Sequence, residues 1–326
     1  MVDGSGEHAG PWQPELEEIA CDLCGESAAT TLFFAEDRRY GLPGSFRIAR
    51  CVGCGLVYVS PRPTLESLAH YYPDRYRPHA EGRQHQGRLG KAVRALAFTS
   101  SSGAWRAPIA WLYNSVAFRA FVPSQPAGRV LDVGCGPGDY LRVWKELGWE
   151  IEGLEPNGLV AARAGREIGA LVRCGFAETA ELPHAAYDLV TMSHSLEHLR
   201  SPRTALARLR RALKPDGRLL LMVPNFAAWE RFALQNHWQG LEVPRHLFHF
   251  EPTTITAVLR ATGYSVIQIG GTAHASTLLR SLRDWARMGS HAMEPGRVER
   301  AVATALLLPL AAVRRSTSLW VVARCA

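Results

Sequence analysis

The segment Val130-Leu-Asp-Val-Gly134-Cys-Gly136-Pro-Gly138-Asp139 constrains this chain more than any other. A short apolar run enters a turn with glycine at every second place, and the amphipathic stretch Tyr140 to Leu147 follows. That order reads as a buried strand, a tight loop and a helix. Glycines at 134, 136 and 138 free the backbone for positive φ and let a ligand come close to it. The spacing is GxGxG. A pyrophosphate cradle would place its third glycine at position 139, which is Asp here. Asp132, Cys135 and Asp139 share the loop region, and the two carboxylates suit a cationic ligand better than a phosphate.

The alternation continues downstream. Glu150 to Leu154, Ala170 to Cys174, Tyr187 to Ser193, Arg218 to Val223, Tyr264 to Ile269 and Leu319 to Arg324 read as strands. Helical patterns at Leu159 to Ile168, Thr253 to Thr262, Ser276 to Met288 and Arg297 to Val313 lie between them, with a further helix capped by Ser201 and Pro202. Strands alternating with helices imply a parallel sheet with crossover connections. Glu155 ends the second strand, 17 residues beyond Gly138, where a carboxylate can accept two hydrogen bonds from ribose hydroxyls. Ser193 and His194 end the fourth strand, on the edge where open α/β sheets bind ligands.

A second signal lies upstream. Cys21-Asp-Leu-Cys24-Gly25 and Cys51-Val-Gly-Cys54-Gly55 are two CxxCG knuckles, each aiming two thiolates at one point. Together they supply the four sulfurs of a closed tetrahedral zinc site, which would stabilise the fold and leave no open position for catalysis. Thr31 to Phe34 and Phe46 to Ala49 are expected to pair as strands between them. Seven cysteines, four of them in CxxC pairs, argue for metal in a reducing compartment over a disulfide framework.

The expected organisation is a flexible tail over 1–18, a zinc ribbon over 19–74, and a basic linker with a lead-in helix over 75–122. An α/β domain over 123–326 follows, with substrate-side insertions near 225–250 and 276–313. With 47% apolar and 21% charged residues the chain is globular in composition. The first 20 residues show no signal-peptide pattern. The longest apolar stretch, Ala301 to Val313, contains Pro309 and falls short of the roughly 20 residues a spanning helix needs. These features predict a soluble cytoplasmic protein. The net charge of +7 allows a polyanionic partner without requiring one. Much of it falls on Arg75, Arg77, Arg83, Arg88, Lys91 and Arg94 in the linker.

Leu131-Asp-Val-Gly-Cys-Gly-Pro-Gly138, Tyr187-Asp-Leu-Val-Thr-Met-Ser-His-Ser-Leu-Glu-His198 and Leu213-Lys-Pro-Asp-Gly217 resemble motifs of class I S-adenosylmethionine-dependent methyltransferases. With Cys51-Val-Gly-Cys-Gly-Leu-Val-Tyr-Val-Ser-Pro61, Tyr71, Tyr72, Tyr76 and the segment Trp238 to Phe250, the chain is similar to zinc-ribbon methyltransferases of sugar, polysaccharide and natural-product pathways. The resemblance implies a doubly wound, seven-stranded Rossmann-like sheet with the last strand inserted antiparallel, beside a small N-terminal zinc ribbon. It implies S-adenosylmethionine and structural zinc as cofactors, and O- or C-methylation of a small-molecule or glycan acceptor. Asp132, Gly134, Cys135, Gly136, Gly138, Glu155 and Ser193 would line the cofactor site. An acidic adenine contact belongs just after the third strand, where Phe176 stands, with Glu178 two places on.

His246, His194 and His198 are the candidate catalytic groups, since an acceptor must lose a proton and imidazole is suited to take it. Two other functions compete. One is RNA methylation with the ribbon docking RNA, although no nucleic-acid motif is present. The other is a non-catalytic cofactor-binding module. The stretch Trp105 to Val122 has the pattern of an interfacial helix, but is read as the helix leading into the first strand. The sequence leaves the oligomeric state open.

Overall fold

The computed structural model describes residues 12–73, 76, 107–116, 127–273, 275–286 and 296–326. The basic residues Arg75, Arg77, Arg83, Arg88, Lys91 and Arg94 lie outside them, as do residues 105–106 and 117–122 of the expected interfacial stretch. Five strands build the N-terminal part: β1 (Leu16–Glu17), β2 (Ala29–Glu36), β3 (Ser45–Cys51), β4 (Val57–Val59) and β5 (Arg62–Pro63). β2 and β3 pair antiparallel from Ala29 opposite Cys51 to Glu36 opposite Ser45, as the alternating pattern predicts. Leu16 and Glu17 fall in the stretch expected to be a flexible tail, yet they pair with Pro63 and Arg62. Trp12, just before them, stacks on His70. The tie is side-chain chemistry that composition does not show: Glu17 accepts from both Arg62 and Arg200.

The large sheet uses β6 (Arg129–Val133), β7 (Glu150–Glu155), β8 (Leu171–Cys174), β9 (Tyr187–Ser193) and β10 (Leu213–Pro224). After β11 (Phe248–His249) in the smaller sheet, β12 (Tyr264–Thr272) and β13 (Ser318–Cys325) complete it. The order is β12-β13-β10-β9-β6-β7-β8, with β13 antiparallel to both neighbours and β6 to β10 parallel. This is the doubly wound, seven-stranded Rossmann-like sheet that the resemblance implied.

Alternate residues supply the two faces. Leu131, Val133, Leu219, Leu221, Leu319 and Val321 enter one core, while Val130, Leu220, Met222, Trp320 and Val322 enter the other. The Asn157 side chain accepts from the N–H groups of Leu159 and Val160, starting the helix Gly158–Ile168, and Gly169 ends it in the left-handed conformation. Ser201 caps Pro202–Ala212 in the same way. Of the lead-in segment, Ala107–Val116 is helical and holds Ala273 N–H on the Ser115 carbonyl.

The expected boundary between ribbon and α/β domain is crossed by both backbone and side chains. Phe248 pairs with Tyr58 and His249 with Val57, so β11 completes a four-stranded sheet ordered β11-β4-β3-β2. Beside it, fully buried Arg245 makes a two-pronged ion pair with buried Asp37, at 2.5 and 3.2 Å, and donates to the Tyr71 carbonyl at 2.9 Å and to Glu242 at 3.2 Å. Ribbon residues Phe46, Ile48, Val57 and Tyr71 share a core with Phe226, Trp238, Leu278 and Leu307.

Removing one partner of a buried pair strands the other charge. Arg245→Ala is therefore expected to cost about 3–5 kcal/mol in urea unfolding, and the double variant Asp37→Leu/Arg245→Leu to recover part of that loss. Glu230 gives a second test. It is fully buried, neither carboxyl oxygen meets a protein hydrogen-bond donor among the described residues, and burial raises its pKa to about 7. The native state keeps this proton where the unfolded chain loses it, so stability falls as pH rises from about 4.5 to 7. Glu230→Gln should melt higher than wild type at pH 8 and alike at pH 4. An equal offset at both pH values would remove this reading.

Candidate active site

β6 runs into the glycine loop, where Gly134, Gly136 and Gly138 take φ of +70°, +53° and +80°. A Cβ on Gly138 would stand 1.9 Å from Ile168 Cδ1, and one on Gly134 would stand 2.6 Å from Ser195 Cβ. The loop is thus wedged between the helix Gly158–Ile168 and the segment after β9, and only glycine fits its two ends. Gly134 N–H donates to the Leu154 carbonyl at 2.8 Å, tying the loop to the end of β7.

Glu155 closes β7. Its carboxylate is buried and accepts from Gly136 N–H at 2.9 Å and Asn157 N–H at 3.0 Å. Burial raises its pKa and those two N–H groups counter the rise. Buried Asp132 accepts from Thr191 Oγ1 at 2.6 Å, which locks β6 to β9 at the point where strand order reverses. The Cys135 thiol lies inside the loop, and burial pushes it well above its usual range. Ser193 ends β9 with its Oγ buried. These residues stand at the carboxyl ends of β6, β7 and β9, a rim whose acids and backbone donors would suit a ligand with ribose hydroxyls and a cationic end. Asp139 is ion-paired with Arg142 at 2.8 Å. Glu178 Oε1 accepts from Arg200 N–H at 2.9 Å, and Phe176 is exposed.

The three expected histidines come together beside this rim. His194 follows β9 with φ of +54°, and its Nδ1 lies 3.5 Å from Glu197 Oε1. Glu197 and His198 sit on the single turn Leu196–His198. Glu197 is 1% exposed, and neither carboxylate oxygen has a hydrogen-bond partner among the described residues. His198 Nδ1 lies 3.0 Å from the Arg245 carbonyl and 3.1 Å from Tyr72 Oη. His246 Nδ1 lies 2.9 Å from the Gly240 carbonyl. A carbonyl only accepts, so both Nδ1 atoms carry hydrogen and both Nε2 atoms carry lone pairs. The two rings meet edge to face, with centroids 4.6 Å apart. Burial lowers each imidazole to about 4, so both are neutral near pH 7.

Sequence reasoning does not single out Glu242, Arg39 or Asp37, because their partners lie more than 200 residues away. Burial alone would raise Glu242, but Arg39, His246 and Arg245 outweigh it and hold the carboxyl at about 2. Tyr72 and Tyr76 meet edge to face at 5.1 Å, and Tyr76 Oη reaches Glu242 at 3.5 Å. Tyr71 packs inside the ribbon core instead.

The four ribbon cysteines also converge. Sγ of Cys21 and Cys54 lie 3.4 Å apart, as do those of Cys24 and Cys51, and all four sit within 4.8 Å of one another. Sulfurs on one zinc at about 2.3 Å are about 3.8 Å apart, so this donor set fits the metal. Knuckle N–H groups and neighbouring thiols outweigh burial at Cys51 and bring its thiol down to about 7, whereas burial pushes Cys54 up to about 11 and Cys21 higher still.

A family model described as a methyltransferase domain matches residues 93–269, just over half of the chain. The chain belongs to that family, in which this sheet and glycine loop are those of S-adenosylmethionine-dependent methyltransferases. It is 31% identical over 170 residues to the malonyl-[acyl-carrier protein] O-methyltransferase of Serratia marcescens, covering 51% of this chain and 65% of that one. It is also 31% identical over 111 residues to the ubiquinone biosynthesis O-methyltransferase of Bradyrhizobium sp. (strain ORS 278), covering 32% and 43%. The chain thus spans less than two thirds of either relative. The solved structure of the [4+2]-cyclase SpnF overlays with a TM-score of 0.50 at 22% identity, over 81% of this chain and 97% of that one. That likeness concerns the fold alone. Among the described residues no helix is long and apolar enough to cross a membrane.

Proposed function

We propose that this protein transfers the methyl group of S-adenosylmethionine to an oxygen or an activated carbon of a small-molecule or glycan acceptor. The observation that carries the reading is the gathering of Glu197 and His198, directly after β9, with His246 from the segment after β10, beside a glycine loop whose neighbouring acids suit a nucleoside with a cationic sulfur. When bound, the cofactor supplies an electrophilic methyl on its sulfonium. Glu155 would hold the ribose hydroxyls, and the loop glycines would admit the rest of the ligand. Tyr72, Tyr76, His198 and His246 would enclose the acceptor and orient it toward the methyl, since placement supplies much of the rate in such a transfer. With Nδ1 on Gly240, His246 presents Nε2 to the acceptor side, where it can take or steer the proton that is lost.

The ribbon would hold one structural zinc on Cys21, Cys24, Cys51 and Cys54. Its task is to fix β3 and β4, on which β11 is laid down, and so to set the wall that carries His246.

Glu155→Ala should weaken cofactor binding by about 10–100-fold in calorimetry, the scale of one or two charge-assisted hydrogen bonds. His246→Ala should lower turnover at least 100-fold while cofactor affinity stays within about threefold. Turnover equal to wild type would take His246 off the catalytic list. Cys51→Ser should release the ribbon zinc and lower the melting temperature, read by metal analysis and calorimetry. Full zinc content in that variant would count against the four-sulfur site.

A further inference from the structure

We infer that Glu197, His198 and His246 form a binding site for a divalent first-row transition-metal cation at the acceptor side of the cleft. One oxygen and two imidazole nitrogens offered by these residues lie within 4.8 Å of one another. Ligands on a single such cation stand about 2.0–2.2 Å from it and so at most about 4.4 Å apart. Small side-chain rotations therefore close the set.

Three features go beyond proximity. First, each histidine holds its Nδ1 hydrogen on a backbone carbonyl, His198 on Arg245 and His246 on Gly240. That contact fixes the tautomer and aims the Nε2 lone pair, as the outer partners of metal-bound histidines do. Second, Glu197 is buried with neither oxygen meeting a hydrogen-bond donor among the described residues, at the cost of a desolvated charge. Neighbouring Glu242 is answered by Arg39 and Arg245, whereas among the described residues Glu197 has only His194 within ion-pair distance, at 3.5 Å. A cation between Glu197 and the two lone pairs would neutralise it. Third, Leu247 N–H donates to the Glu197 carbonyl at 2.8 Å, so the turn after β9 and the segment carrying His246 are held in one register. Three protein ligands leave open positions for water and for an acceptor oxygen, the donor pattern that borderline divalent metals take.

The site stands on this geometry, and its chemical role rests on the methyl-transfer reading. With the cation bound, the Nε2 lone pair of His246 is committed to it, so an acceptor hydroxyl on the cation would release its proton to water in place of His246. Its oxygen would then form the O–CH3 bond as the S–CH3 bond breaks, with that electron pair returning to sulfur.

Manganese(II) is the probe for the full chain with its ribbon zinc in place, because a hard cation avoids four thiolates. Titration followed by electron paramagnetic resonance should show one bound manganese per chain. Pulsed measurements should show coupling to two imidazole nitrogens. Glu197→Gln and His246→Gln should each weaken binding at least tenfold while S-adenosylmethionine affinity remains that of wild type. Should a variant misfold, the nitrogen coupling in the wild type decides alone. Absence of binding by manganese, cobalt or zinc beyond the ribbon equivalent would overturn the site, as would bound manganese without histidine coupling. Metal bound in this way but no methyl transfer to any hydroxyl acceptor would leave the site standing and remove the proposed function. Methyl transfer by a chain that binds no second metal would do the reverse.

Discussion

The buried pair of Arg245 with Asp37 joins the two halves of this molecule. A guanidinium and a carboxylate withdrawn from water are tolerated only when most of their hydrogen-bonding capacity is met, and here it is. Asp37 takes both prongs, the Tyr71 carbonyl takes a third bond, and Glu242 takes the Nε hydrogen. Asp37 and Tyr71 come from the ribbon side, while Arg245 and Glu242 come from the segment after β10. The next residue along is His246, so the position of that ring is inherited from an ion pair between distant parts of the chain. β11 on β4 repeats the same tie in backbone hydrogen bonds. The ribbon is accordingly a wall of the site.

The site has two electrostatic halves, on either side of the strand reversal between β6 and β9. On one side, Glu155 and Asp132 are buried acids steadied by N–H and O–H donors, which keeps them as fixed acceptors. On the other, burial strips two imidazoles of their protons, and carbonyl partners set which nitrogen carries the lone pair. Glu197 lies between the halves, two residues past the Ser195 that packs on Gly134.

Features whose physics is local were legible in the sequence. The GxGxG turn requires positive φ at glycines 134, 136 and 138, and all three adopt it. The alternation of strands and helices predicted a parallel sheet with crossover connections, the resemblance implied its doubly wound order, and two CxxCG knuckles predicted converging thiolates. Features whose physics is long-range were not. Phe248 and His249 read as an aromatic loop, because nothing near them in sequence shows the free edge of β4. Leu16 and Glu17 read as tail, because the arginines that hold Glu17 lie at 62 and 200. The bond from Arg200 N–H to Glu178 was likewise out of reach, because the two residues lie 22 apart.

By itself, then, the sequence determined the sheet, the cofactor-side loop and the thiolate cluster, since each follows from periodicity and from residue types within a few places of one another. The tertiary structure alone decided which histidines meet, which nitrogen each presents, and that Glu197 stands with them unanswered by hydrogen-bond donors among the described residues. Those outcomes depend on desolvation and, for His198, on a carbonyl partner 47 residues away, and no local pattern of amino acids encodes how much water a side chain will lose.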